Sequence, residues 1–77
     1  MADLKLFIME TCPYCQKVVK FLKAEDIDVD ILDINKDPKN KEELKRMGGK
    51  VQVPMLSIDG KPLYESDDII EWFKKNR

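Results

Sequence analysis

The chain has 77 residues, of which 43% are hydrophobic and 38% charged, a composition that fits a globular protein rather than a disordered one. A chain of this length forms one small domain, so we treat residues 1–77 as a single unit without space to enclose a dinucleotide. With 14 basic and 15 acidic side chains, the net charge of −1 provides no field that would attract nucleic acid or an anionic membrane, and we expect neither as a partner.

The N-terminal segment lacks the apolar core and small-residue cleavage site of a secretory signal. Apolar runs elsewhere are only a few residues long, which is too short for a membrane span. We therefore expect a cytoplasmic location. In that reducing compartment a pair of cysteines is more often catalytic or metal-binding than a permanent disulfide.

The first half of the chain predicts two strands with a helix between them. An apolar segment, Leu4–Ile8, predicts the first strand. Pro13 suits the first turn of a helix, where its missing N–H leaves no hydrogen bond unmade. Apolar residues then recur at i, i+4, i+7 and i+8 from Tyr14 to Leu22, which indicates one buried helical face. Alternating acidic and apolar residues predict a second strand over residues 28–34.

The second half predicts a helix and then a hairpin. Asp37-Pro38 marks a helix start, with Asp as the cap and Pro just inside, and Gly48-Gly49 marks its end. Residues 51–58 predict a third strand. Asp59-Gly60 is a strong hairpin-turn signal that leads into a fourth strand over residues 62–64.

A third helix is predicted at the C-terminal end, capped by Ser66, with Ile69, Ile70 and Phe73 facing inward and Trp72 partly exposed. The order is therefore β-α-β-α-β-β-α. A helix joins the first two strands, which implies a parallel pair with a right-handed crossover, and a hairpin joins the last two. We predict an α/β three-layer sandwich around a four-stranded mixed sheet.

The pattern Cys12-Pro13-Tyr14-Cys15 contains both cysteines of the chain, which has no histidine. A permanent disulfide here would close a loop too short to gain much entropy. A zinc site needs four ligands, of which this chain offers two thiolates and no imidazole, so we expect no metal. A [2Fe–2S] cluster shared by two chains and a pair of inert buried cysteines stay open as alternatives.

Redox catalysis is the favoured interpretation of the two cysteines. Cys12 is predicted at the start of a helix, where unpaired N–H groups and the positive end of the dipole stabilise a thiolate by ~0.3–1 kcal/mol. Cys15 follows one turn later, within bonding reach. Cys12 is then the nucleophile and Cys15 the resolving thiol. Thiol exchange needs no imidazole base, so the absence of histidine is compatible with it.

The dithiol resembles that of the glutaredoxin family, and the resemblance covers nearly the whole chain, including the order of its elements. It implies a thioredoxin-like fold. Glu65-Ser66 followed by Ile69-Ile70 is also similar to the N-terminal domain of glutathione transferases. The resemblance implies an enzyme of cytoplasmic electron transport that reduces glutathione mixed disulfides or protein disulfides. Glutathione would be its cosubstrate, with no tightly bound cofactor, and we expect a monomer.

The same resemblance implies which residues contact glutathione. They are Tyr14, Gln52, Val53, Pro54, Ser66 and Asp67. In the family, a cis proline at the position of Pro54 faces the dithiol, and the backbone of the preceding residue pairs with the cysteinyl part of glutathione. The start of the last helix holds the γ-glutamyl end, with backbone N–H groups on its carboxylate and the acidic residue on its ammonium.

Two positions depart from the glutaredoxin pattern. Met9 stands where the family commonly carries lysine, and Gln52 where threonine usually precedes Val-Pro. These differences favour, as an alternative, a dithiol redoxin reduced by a flavoprotein reductase rather than by glutathione. A non-catalytic dimeric [2Fe–2S] carrier is a further alternative. Lys17, Lys50 and the lysines of the second helix are candidates for the cation that would hold the glycyl carboxylate.

Overall fold

A computed structural model of the chain describes residues 3–76. Residues 1, 2 and 77, which belong to the predicted single domain, lie outside that range. The elements are β1 (Leu4–Ile8), α1 (Pro13–Ala24), β2 (Asp30–Asp33), α2 (Pro38–Gly48), β3 (Met55–Ile58), β4 (Lys61–Tyr64) and α3 (Ser66–Lys75). This order confirms the prediction. Within residues 3–76, none of the helices has the length and apolar character needed to cross a membrane.

The four strands form one mixed sheet in the order β2-β1-β3-β4. Strand β1 runs parallel to β2 and antiparallel to β3, and β3 is antiparallel to β4. Phe7, near the end of β1, pairs with Met55 at the start of β3, and Met55 pairs with Tyr64 at the end of β4. The segments after β1, before β3 and after β4 therefore meet at one edge of the sheet, and that edge carries the candidate site.

The sheet separates two hydrophobic clusters, because successive side chains of a strand point to opposite faces. The first cluster lies between the sheet and helices α1 and α3, and its buried members are Leu6, Ile8, Cys15, Val18, Val19, Leu22, Leu56, Ile69 and Phe73. The second lies on the face of α2, and its buried members are Phe7, Ile34, Leu44 and Met55. The predicted three-layer sandwich is confirmed.

Several boundaries differ from the prediction, and β4 begins at Lys61 rather than at residue 62. Strand β2 spans Asp30–Asp33 rather than residues 28–34. Strand β3 begins at Met55 rather than at residue 51, because proline has no N–H for the ladder and Val53-Pro54 is a cis peptide that turns the chain. Ser66 does not cap α3, because Glu65 occupies the N-cap position and Ser66 is the first helical residue.

The cap of α2, its glycine end and the hairpin turn act as predicted. Asp37 caps α2 by accepting a hydrogen bond from the Lys39 N–H at 3.0 Å, and Gly49 ends that helix in a left-handed conformation with φ 77°. Asp59 and Gly60 form the hairpin turn, both with positive φ, which matches the twist of the flanking strands. In α3, Ile69 and Phe73 are buried while Ile70 and Trp72 are half-buried against the first cluster.

Candidate active site

Cys12 is the N-cap residue of α1, with an extended backbone at φ −85° and ψ 118°. Its N–H donates to the Met9 carbonyl at 2.9 Å, and its carbonyl accepts the first helical hydrogen bond, from the Gln16 N–H, at 3.1 Å. Pro13 follows at the first helical position, as the sequence predicts. The side chain is half-buried and the thiol is free. Cys12 thus lies where the unpaired N–H groups of a helix start are concentrated.

Cys15 lies one turn further and is completely buried in the first cluster. Burial raises the pKa of the Cys15 thiol to about 12, because it disfavours the charged form. The N–H of Met9 donates to Cys15 Sγ at 3.4 Å and partly opposes this rise, whereas the neighbouring Cys12 thiol and the Asp33 carboxylate add to it. Cys15 therefore stays protonated at neutral pH.

Met9 holds both cysteines through its main chain: its carbonyl receives the N–H of Cys12, and its N–H reaches the sulfur of Cys15. Its side chain is half-buried against the second cluster. The position where the family commonly carries a basic side chain therefore contributes backbone geometry and apolar packing here.

A cleft of about 290 Å³ opens beside the dithiol. Its lining residues are Tyr14, Gln52, Val53, Pro54, Glu65, Ser66 and Asp67. The structure thus brings together all six residues that the family resemblance assigns to glutathione, from three separate parts of the chain. Tyr14 is 65% exposed, so its expected place on the buried face of α1 is wrong, and Cys15 occupies that face instead.

Glu65 is the lining residue that the sequence analysis did not assign. Its backbone has φ 73°, in the left-handed region that side-chain-bearing residues seldom adopt, and its carbonyl accepts the Ile69 N–H at 3.0 Å to start α3. Nothing in the local sequence signals this conformation, since neither glycine nor asparagine is present. The turn places both Glu65 and Ser66 on the cleft wall.

The charges around the cleft are unevenly placed. Among residues 3–76, its lining holds two acidic residues, Glu65 and Asp67, and no basic one. Lys17 of α1 forms an ion pair with Asp67. Lys50, another candidate cation, lies instead with its Nζ 4.6 Å from the centre of the Tyr64 ring. Of these two lysines, Lys17 is the one in contact with the cleft lining.

Comparison with known proteins places this geometry in a family. The family described as glutathione S-transferase, N-terminal domain, matches residues 6–77. A glutaredoxin-like 8.6 kDa protein of the rubredoxin operon of Clostridium pasteurianum is 33% identical over 57 residues, which cover 74% of this chain and 76% of the relative. Glutaredoxin 3 of Escherichia coli is 29% identical over 69 residues, covering 90% of this chain and 83% of its own.

Comparison with solved structures supports the same family. The crystal structure of a glutaredoxin from Archaeoglobus fulgidus superposes with a TM-score of 0.74 at 26% identity, covering 96% of this chain and 88% of that one. The matches extend over the strands, helices and cleft described above rather than over one motif. The chain belongs to the glutathione S-transferase N-terminal domain family, as a glutaredoxin-like member of the thioredoxin superfamily.

Proposed function

We propose that this chain is a thiol–disulfide oxidoreductase that reduces glutathione mixed disulfides and protein disulfides, with glutathione as its cosubstrate. The observation that carries the proposal is a half-buried Cys12 at the start of α1, two residues before Tyr14, which lines a cleft together with the other five residues that the resemblance assigns to glutathione. The proposed working form is a cytoplasmic monomer of one domain.

The first step is attack by the Cys12 thiolate on the glutathionyl sulfur of a mixed disulfide. A bond forms between Cys12 Sγ and that sulfur, the bond to the substrate sulfur breaks, and its electron pair leaves on the substrate thiolate, which takes a proton from water. The start of α1 favours the attacking thiolate because its unpaired N–H groups and the positive end of its dipole stabilise a negative charge.

Two routes then regenerate Cys12. In the first, the thiolate of a second glutathione attacks the glutathionyl sulfur, which yields glutathione disulfide and releases the Cys12 thiolate. The second route serves a protein disulfide: Cys12 first attacks one of its sulfurs, which joins Cys12 Sγ to the protein and releases the other sulfur as a thiolate. Cys15 then gives its proton to that thiolate and attacks Cys12 Sγ. That attack expels the protein thiolate and leaves a Cys12–Cys15 disulfide, which two glutathione molecules reduce.

The burial of Cys15 favours the first route for glutathione mixed disulfides. A thiol whose pKa is about 12 contributes little thiolate at neutral pH, so it competes poorly with free glutathione. The proximity of Cys12 is one cause of the raised pKa of Cys15. That cause is removed once Cys12 is held in a disulfide, so Cys15 becomes a better nucleophile only after the first step.

The cleft supplies complementary contacts for glutathione. Val53 lies before β3 and outside its ladder, so its main chain is placed to pair with the cysteinyl residue as an added strand would. The start of α3, at Ser66 and Asp67, offers N–H groups to a carboxylate. The carboxylate of Asp67 is the proposed partner of the γ-glutamyl ammonium.

Turnover of a glutathione mixed disulfide tests the proposal. Wild type, Cys12→Ser and Cys15→Ser are compared in an assay in which glutathione reductase consumes the glutathione disulfide formed. We expect no activity in Cys12→Ser and most of the activity in Cys15→Ser, whereas reduction of a protein disulfide should be lost in both. Equal rates in all three proteins would refute the proposed function.

One observation favours a flavoprotein reductase, rather than glutathione, as the reductant. The part of the chain that the structure describes contributes no basic residue to the cleft lining, and the side chain of Met9 packs against the second cluster. A redoxin that receives electrons from a flavoprotein reductase does not need a cation for the glycyl carboxylate. Supplying glutathione with glutathione reductase, or a thioredoxin-reductase-type flavoprotein alone, separates the two, since only the true donor supports repeated turnover.

A further inference from the structure

An ion pair joins Lys17 to Asp67 of the cleft lining. Lys17 lies on α1, five residues after Cys12, and Asp67 lies in the first turn of α3. The two side chains are 54% and 81% exposed, so a ligand can reach both. In the ligand-free protein, the carboxylate proposed to receive an ammonium is therefore already neutralised by a cation of the chain itself.

A ligand that offers only an ammonium gains little from Asp67. Its ammonium must displace Lys17 Nζ, so one ion pair is exchanged for an equivalent one. Lys17 is left without its partner and lies beside a second positive charge. Since exposed pairs of this kind are weak, the exchange brings no net electrostatic gain.

A ligand with an ammonium and a carboxylate on the same carbon behaves differently. Its ammonium takes the Asp67 carboxylate, while its own carboxylate, at the N–H groups of the α3 start, also pairs with the released Lys17. One ion pair is then replaced by two, and no charge is left unpaired. The γ-glutamyl end of glutathione has this arrangement, whereas a simple amine does not.

We propose that Lys17 is a specificity-determining residue, which makes this cleft select disulfides with an α-amino-acid head group over those that carry an amine alone. The inference rests on the proposed function and deepens it. Lys17 already neutralises Asp67, so a ligand that carries only an amine gains no net binding energy there. The residue therefore creates specificity by disfavouring the competing ligand.

Two substrates test the inference. One is the mixed disulfide of glutathione with a cysteine-containing peptide. The other is the same disulfide made with γ-aminobutyryl-cysteinyl-glycine, which lacks only the α-carboxylate of the head group. The measured quantity is the ratio of kcat/KM for the first substrate to kcat/KM for the second. Any influence of Lys17 on the reactivity of Cys12 is common to both substrates and cancels in this ratio.

Three variants are compared with wild type. Lys17→Gln keeps a polar side chain, although a shorter one, and removes the charge, whereas Lys17→Arg keeps the charge. Lys20→Gln is the matched control, since Lys20 is an exposed lysine of the same helix for which residues 3–76 provide no ion pair. We expect the ratio to fall about 2- to 5-fold in Lys17→Gln, mainly through better turnover of the analogue, as suits one exposed ion pair.

The ratio should stay at the wild-type value in Lys17→Arg and Lys20→Gln. An unchanged ratio in Lys17→Gln would overturn the inference, whether kcat/KM stays the same or rises equally for both substrates. In the first case Lys17 would have no effect on binding, and in the second it would only compete with both ligands for Asp67. An equal fall of the ratio in the control variant Lys20→Gln would overturn the inference as well. If wild type turns over neither substrate, the proposed function itself fails, and that result is distinct from normal turnover with an unchanged ratio.

Discussion

The burial of Cys15 predicts that the reduced protein loses stability at alkaline pH through this one group. Burial raises the pKa of the thiol from 9.0 to about 12, and the Met9 N–H at 3.4 Å only partly opposes it. Because the pKa is higher in the folded state, the folded chain binds this proton more tightly than the unfolded chain does. The resulting stabilisation is complete below pH 9 and is lost as the pH rises toward 12.

The size of the effect follows from the difference between the two pKa values. A difference of about 3 corresponds to about 4 kcal/mol, and about 3 kcal/mol of this should be lost by pH 11. A domain of this length has a total free energy of unfolding of roughly 4–12 kcal/mol. The ionisation of one thiol should therefore remove a large share of the stability of the reduced protein.

Urea unfolding of wild type and Cys15→Ala, both kept reduced, isolates the effect between pH 7 and pH 11. Lysines and tyrosines also titrate in this range, but they are present in both proteins, as is Cys12. We expect wild type to be the more stable protein at pH 7 and to lose stability faster above pH 9, until the difference closes or reverses. Parallel stability curves up to pH 11 would refute the buried, protonated state of Cys15.

Three further predictions concern packing. Gly48→Ala would force a Cβ against Tyr64 Oη, on a ring packed against the second cluster, so unfolding in urea should show a loss of about 1–3 kcal/mol. Combining it with Tyr64→Phe should recover part of that loss, and simple additivity would contradict the contact. Tyr64→Phe alone removes a buried hydroxyl that has no hydrogen-bond partner within residues 3–76, so its melting temperature should not fall below that of wild type by more than about 2 °C. Leu56→Ala, at a fully buried central position, should cost about 2–5 kcal/mol, whereas Ile31→Ala, 43% exposed on an edge strand, should cost under about 1 kcal/mol; similar losses would contradict the burial pattern.

Features that depend on local chemistry could be predicted from the sequence. Pro13 marks the start of α1, Asp37 caps α2, and Asp59-Gly60 forms the hairpin turn, because each acts within a few residues of itself. The order of elements follows from these signals together with hydrophobic periodicity. The dithiol could likewise be placed at a helix start, since the strand before it and the proline within it are adjacent in sequence.

Features that depend on tertiary contacts could not be predicted. Tyr14 fits the apolar spacing of α1 but is exposed, because Cys15 fills the buried position beside it. The left-handed Glu65 carries no local signal, and its turn displaces Ser66 from the cap into the helix. The influence of Asp33 on Cys15 depends on the parallel pairing of Ile8 with Asp33, a register that hydrophobic spacing alone does not specify.

The proposed mechanism makes Cys12 the attacking thiol and places the bound glutathione on its sulfur. Incubation of reduced Cys15→Ser and Cys12→Ser with glutathione disulfide near neutral pH, followed by acid quenching and intact-mass measurement, tests it most directly. We expect one glutathione per chain on Cys15→Ser and none on Cys12→Ser over the same time, because the remaining thiol of the latter is buried and protonated. Labelling of Cys12→Ser at the same rate, or no labelling of Cys15→Ser, would contradict it.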